Sequence, residues 1–140
     1  MQQQTVDDLA EKSKLASDSS FNALINAQSI EGYWPAEQKD AILKFLDDSQ
    51  KKVVNEFLTF AAQTAEAQLA QRLILTILAN DIFTKRFQHK REEWRMIGRN
   101  MTRWINSART TLTKAAIKDM DTKMAGTETA IKAMDYTVKV

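Results

Sequence analysis

The chain has 140 residues, 44% of them apolar, with three glycines, one proline, no cysteine and a formal net charge of +2. That length suits one domain with a core of its own. So few turn residues exclude an all-β or α/β plan and predict a few long helices. The absent thiols remove disulfides, thiolate metal sites and a cysteine nucleophile together.

Residues 1–17 are polar and weakly patterned, and read as a flexible leader with a loose helix around Leu9 and Leu15. They carry Asp7, Asp8 and Glu11 and no apolar signal-peptide core, so a cytoplasmic location is expected. The first firm helix opens at SDSSFNALINAQ, where Asp18, Ser19 or Ser20 can cap the first turn and Phe21, Leu24 and Ile25 share a face. Gly32 ends it, and Pro35 suits the first position of a second helix, AEQKDAILKFL. DDSQ (47–50) reads as a stop followed by a new cap. The third helix, KKVVNEFLTFAA, is expected to bury Val53, Val54, Phe57, Leu58 and Phe60, with a break from the next helix near Thr64 left open.

The fourth helix, about 65–87, is the most apolar, with Gln68, Arg72, Thr76, Asn80 and Thr84 forming one polar row at i+4 steps. A helix with so narrow a wet stripe is normally the central one of a bundle. Its apolar stretch, RLILTILANDIF, is too short for a membrane span of ~20 residues. QHK (88–90) is a short connection. In the fifth helix, about 91–118, Trp94, Ile97, Met101, Trp104, Ile105, Ala108 and Leu112 repeat at three and four. Arg91, Arg95, Arg99 and Arg103 climb its other side. The tail, 119–140, keeps a weak helical pattern interrupted by Gly126, and reads as mobile, exchanged with a neighbour or docked. The whole predicts an all-α bundle of four to five helices with short connections, spanning 18–118, the central hydrophobic helix packed on 91–118.

Charge is sorted along the chain. Residues 1–81 carry 7 basic and 12 acidic side chains, residues 85–118 carry 10 and 2, and residues 119–140 carry 3 and 4. One segment is therefore basic, and its arginine row is the strongest surface feature. Such a row can meet a polyanion or an acidic protein, since the guanidinium fork matches carboxylate and phosphate geometry. The plainer alternative is a solvated face paired with the acidic N-terminal half. Nucleic acid ranks behind both, because no aromatic is interleaved among the arginines.

Little else suggests chemistry. The single histidine, His89, reads as a solvated loop residue, and the neighbouring Asp47 and Asp48 as a cap. No catalytic set, metal cluster or phosphate loop can be assembled, so no catalytic, cofactor or metal residues are expected and an enzyme is disfavoured. Trp94 and Trp104 read as core, and only Met101 of the five methionines from Met96 to Met134 lies on the fifth helix's stripe. In GYWP (32–35), Trp34 is expected to fold back as a lid on the bundle, while Tyr33 points the other way and is the better candidate for outside contact.

FNALINAQSIEGYW, DAILKFL and RLILTILANDIFTKRFQHKREEWRMIGRNMTRWI together resemble the C-terminal helical region of von Willebrand factor A domain-containing proteins with a vault inter-α-trypsin domain, a group that includes the vault poly(ADP-ribose) polymerase. The residues that carry the resemblance are Ile25, Gln28, Gly32, Trp34, Leu43, Leu46, Leu75 to Phe87, Glu93, Trp94, Trp104 and Ile105, in a match over about 85 residues. Residues 1–17 and 110–140 have no counterpart, 48–66 fits poorly, and the family's metal-binding Asp-x-Ser-x-Ser loop is absent. The resemblance implies attachment to the major vault protein and no catalysis. The expected function is a non-catalytic interaction module that anchors to a larger assembly through Tyr33, Arg91, Arg95, Arg99 and Arg103. The alternative is a basic helical binder of nucleic acid or an anionic surface; self-association is compatible with either.

Overall fold

The most apolar segment of the chain is the axis of the fold. The computed structural model describes residues 18–138, so the leader expected at 1–17 lies outside the described residues. These form six α-helices: α1 (Asp18–Asn26), α2 (Asp40–Leu43), α3 (Asp48–Ala62), α4 (Ala67–Arg86), α5 (Arg91–Ala115) and α6 (Met120–Lys132). Single 3-10 turns lie at Ala36–Gln38 and Gln88–Lys90, and no strand occurs among the described residues. Helix α4 touches α2, α3, α5, α6 and both 3-10 turns. It is central because its apolar residues occur around most of its circumference: Leu73, Ile74, Leu75, Leu78, Ile82 and Phe83 are all buried.

The two strongest helical patterns settle where expected. Helices α4 and α5 pack as a hairpin across the Gln88–Lys90 turn. Trp94, Met101, Ile105, Ala108 and Leu112 form the buried stripe of α5, while Ile97 and Trp104 at its edge are half-buried. The DDSQ signal is a complete capping box. Gln50 N donates to the Asp47 carboxylate at 2.7 Å, and Asp47 N donates to Gln50 Oε1 at 2.9 Å. The break near Thr64 is real: α3 stops at Ala62, and the Thr64 hydroxyl donates back to Ala61 O at 2.9 Å.

Other elements differ from expectation. The second helix is a 3-10 turn followed by one α-turn, closed by 3-10-type bonds such as Phe45 N to Ile42 O (3.1 Å) and Leu46 N to Leu43 O (3.0 Å). A stretch this short, held between Pro35 and the Asp47 cap, cannot repay helix nucleation by backbone bonds alone. Burial of Ile42, Phe45 and Leu46 sets its shape instead. In α3 only Val54, Leu58 and Ala61 are buried. Val53, Phe57 and Phe60 flank that line half-exposed, because α3 has one principal neighbour, α4.

Of the three alternatives for the tail, the structure takes the docked one. Helix α6 runs unbroken through Gly126 and buries Met120, Met124, Thr127 and Ile131 against the hairpin. It is reached by a reversal in which Ala116 and Asp119 both adopt left-handed backbone, φ 52° and 64°. Residues 134–138 then return past α4, with Met134 and Tyr136 buried. The tail docks on its own chain, and the described residues hold six α-helices, of which Asp40–Leu43 is a single turn.

Candidate partner-binding face

The GYWP turn seats the hairpin from one side. Gly32 holds φ +113°, and a Cβ there would fall 2.7 Å from the Asn100 carbonyl of α5. Only glycine permits both the backbone conformation and that approach. Trp34, 0% exposed, goes beyond the expected lid: its indole N–H donates to Leu24 O at 2.9 Å, and its backbone N–H donates to Thr76 Oγ1 at 3.0 Å. Thr76, which the sequence places on a polar row, is thus fully buried, and its hydroxyl donates in turn to Arg72 O at 2.7 Å. The polar row of α4 serves the interior at its centre and solvent only at its ends.

Tyr33 does not point away from the bundle. Its ring packs 5.2 Å from Trp104, and the Arg72 guanidinium lies over it at 4.2 Å. The residue is half-buried, so only part of it faces outward. The contact explains why Trp104, at the margin of the α5 stripe, is only partly exposed: Tyr33 and the turn cover it.

Beneath the turn, Phe83 is the hub of an aromatic cluster. Its ring lies 5.9 Å from Trp34, 6.1 Å from Phe21 and from Phe87, and 5.3 Å from Trp94. The Trp94 indole N–H donates to Phe87 O at 2.7 Å, so its polar atom is satisfied at the core boundary. With Trp94 anchored, α5 cannot roll, and its opposite flank is held outward.

That flank carries the arginines. Arg91, Arg95, Arg99 and Arg103 are all exposed, and all four line one open groove of about 790 Å³ whose other wall is Asn80 and Thr84 of α4. Successive i+4 positions slew by about 40° around the helix, so Arg91 starts at the groove wall and Arg103 stands furthest out. Thr102 and Asn106 fill the row between them, and Gly98 leaves the edge of Trp94 at the floor. Arg95 pairs with Glu92 on its own helix, and Arg91 lies 5.4 Å from the Trp94 ring. Among the described residues, Arg99 and Arg103 have no carboxylate partner.

Among the described residues, the acidic N-terminal half supplies one ion pair to this region, and it goes to Lys90. The Lys90 ammonium meets Asp18 at 2.8 Å and Glu93 at 3.5 Å. The hydrogen bond from Lys90 holds the Asp18 carboxyl below its ordinary range, and the Asp18 hydrogen bond raises Lys90. His89, beside it, is exposed.

A second cationic cluster was not apparent in the sequence. Arg86, 9% exposed, donates from Nη1 to Tyr136 O at 2.6 Å and to Val138 O at 3.1 Å. Its Nη2 is buried without a partner, and burial lowers the guanidinium's affinity for its proton. Lys85 donates to Lys132 O at 2.7 Å and Met134 O at 2.8 Å and pairs with Asp81 at 3.0 Å. The Tyr136 hydroxyl donates to Asp81 at 2.6 Å, and burial together with that bond pushes its pKa well above the usual phenol range. This cluster pins the returning tail. Its one sequence signal is that Arg86 falls among the apolar positions of α4, three residues after Phe83.

Among the described residues no group of three or more histidines and carboxylates could hold a metal ion, and no helix is long and apolar enough to cross a membrane. Four of the five methionines from Met96 to Met134 are buried, leaving Met96, 66% exposed, on the outer face of α5. Comparison of the chain with protein-family models, with curated proteins and with solved structures finds no match. The resemblance to the vault-associated helical region therefore rests on the spacing of apolar and aromatic residues.

Proposed function

We propose that this chain is a non-catalytic helical interaction module that docks on a larger protein assembly through the arginine flank of α5. The observation that carries the reading is that Arg99 and Arg103 stand exposed in the groove with no carboxylate partner among the described residues. Forked, permanently charged donors left unpaired on a rigid helix are suited to a carboxylate-bearing surface. Following the family resemblance, the assembly is the major vault protein shell and the setting is the cytoplasm. Tyr33, half-buried against Trp104, is assigned a minor part.

The test is affinity capture from the native source with the wild-type chain and with Arg95→Glu, Arg99→Glu and Arg103→Glu combined. The reading predicts a stable protein partner for the first and its loss for the second, with helix content unchanged by circular dichroism. Equal capture by both would refute it.

A second reading, a binder of nucleic acid or an anionic surface, is favoured by the excess of basic over acidic side chains in residues 85–118. It predicts affinity that falls steeply with added salt. No binding to RNA, DNA or anionic vesicles at low salt would remove it.

A further inference from the structure

We infer that the groove between α4 and α5 takes an acidic α-helix of the partner, crossing α5 obliquely so that its carboxylates meet the row of Arg91, Arg95, Arg99 and Arg103. The inference rests on the arginine flank being the docking face, and goes on to name what docks there.

Spacing is the first argument. Positions at i+4 along α5 rise about 6 Å and slew about 40° per step, and Asp or Glu at i+4 on a partner helix follow the same kind of row, so the two rows match where the helices cross obliquely. An extended acidic strand repeats same-face side chains about every 6.6 Å, close in rise, but along a straight line that does not follow the slewed row. Shape is the second. The groove has two helical walls, α5 on one side and Asn80 and Thr84 of α4 on the other, the setting into which a third helix packs. Its walls are polar: the side-chain amides of Asn80 and Asn106 make no hydrogen bond to another described residue, so a purely apolar face would leave them unsatisfied.

The lining also separates the possible anions. A single-stranded nucleic acid wants aromatic platforms between its phosphate contacts. The only ring at the floor, Trp94, is buried and committed to Phe87 O and the Phe83 ring. An anionic membrane wants an apolar face beside the cations. This flank exposes one large apolar residue, Met96. Met96 stands one turn before Arg99, where its adaptable thioether can cover the apolar margin of an amphipathic acidic helix.

The experiment uses the full chain and fluorescence anisotropy. The probe is a labelled helical peptide of about 20 residues with Glu at every fourth position. Comparison probes are the same composition broken by proline, an oligothymidylate of equal charge, and phosphatidylserine-containing vesicles. The helical peptide should bind best, and Arg99→Glu with Arg103→Glu should weaken it by about tenfold or more, while Lys114→Glu, outside the groove, should change it little. Thr102→Trp keeps every charge but obstructs the groove, so it should weaken the helix comparably and leave oligothymidylate binding unchanged or stronger. Equal binding of the helical and broken peptides, stronger binding of oligothymidylate or vesicles, or no effect of Thr102→Trp would overturn the inference. If the peptide fails while capture of the native assembly still depends on Arg99 and Arg103, the docking face stands and the acidic helix falls. A dimer of the chain that dissociates on charge reversal would overturn the inference in favour of a second copy as occupant.

Discussion

Arg86 and Arg99 belong to the same basic stretch of sequence, on either side of the Gln88–Lys90 turn, and the fold treats them oppositely. Arg86 lies under the returning tail and spends its donors on the carbonyls of Tyr136 and Val138. Arg99 stands in an open groove with no carboxylate partner among the described residues. The difference teaches that charge does not decide where an arginine sits. What decides it is whether another segment of chain arrives to accept its hydrogen bonds: α6 and the residues after it bring carbonyls to α4, and among the described residues nothing comparable reaches the outer flank of α5. The buried cation spends its donors inside the fold, and the exposed ones keep theirs in the groove among the described residues.

The comparison breaks most directly at Arg86. Arg86→Ala removes two charge-assisted hydrogen bonds and a packed side chain, and should lower unfolding free energy by about 2–3 kcal/mol in denaturant titration. Hydrogen exchange should accelerate at residues 134–138. Arg86→Met should cost less, because it also removes a buried charge and the unpartnered Nη2. If alanine there were as mild as at Arg99, the two regions would not differ as described.

Gly32→Ala tests what fixes the exposed flank. A Cβ at φ +113° and 2.7 Å from Asn100 O must push the turn off α5, at a cost of about 1–3 kcal/mol. Tyr33 should then leave Trp104, seen as a shift in tryptophan fluorescence. An unchanged spectrum and stability would mean that the turn does not set the position of the helix.

Tyr136→Phe sharpens the buried side. Near neutral pH it removes one hydrogen bond to Asp81, worth about 1–2 kcal/mol. Its pH dependence is more diagnostic. The folded chain holds the phenol proton above the pH at which the unfolded chain releases it, through burial and the neighbouring Asp81, with Lys85 pairing to the same carboxylate. Its contribution is therefore complete below about pH 10 and is lost as pH rises beyond, by up to about 1.4 kcal/mol per pH unit. Phenylalanine at this position should flatten that alkaline decline; an equally steep decline would place its source elsewhere.

The smallest effect belongs to the free arginines. Arg99→Ala and Arg103→Ala should each alter stability by no more than about 0.5 kcal/mol in denaturant titration, because among the described residues neither side chain has an ion-pair or hydrogen-bond partner to lose. A larger loss would show that the flank is structural.

Much of this arrangement was legible in the chain. The 3.6-residue pattern of α4 and α5 is long and strong, and their hairpin, the buried Trp94 stripe and the outward arginines follow from it. The Asp47 cap was legible for the same reason: its partners lie three residues apart. Tyr33 was misjudged because its contacts, Trp104 and Arg72, are distant in sequence. The tail stayed open between docked, exchanged and mobile because its buried residues, Met120, Met124, Ile131, Met134 and Tyr136, are spread among many polar positions, too sparse a stripe to reveal a docking surface.

By itself, then, the sequence determined the helical class, the central helix, the local caps and the sorting of charge into one basic segment, because each depends on neighbours within a turn or two. Only the tertiary structure decided which cations are consumed and which remain free, how the tail closes over Arg86, and that four arginines share one groove with α4. Those outcomes depend on which carbonyls, rings and carboxylates distant segments bring within about 3–5 Å, a matter of packing that local periodicity does not encode.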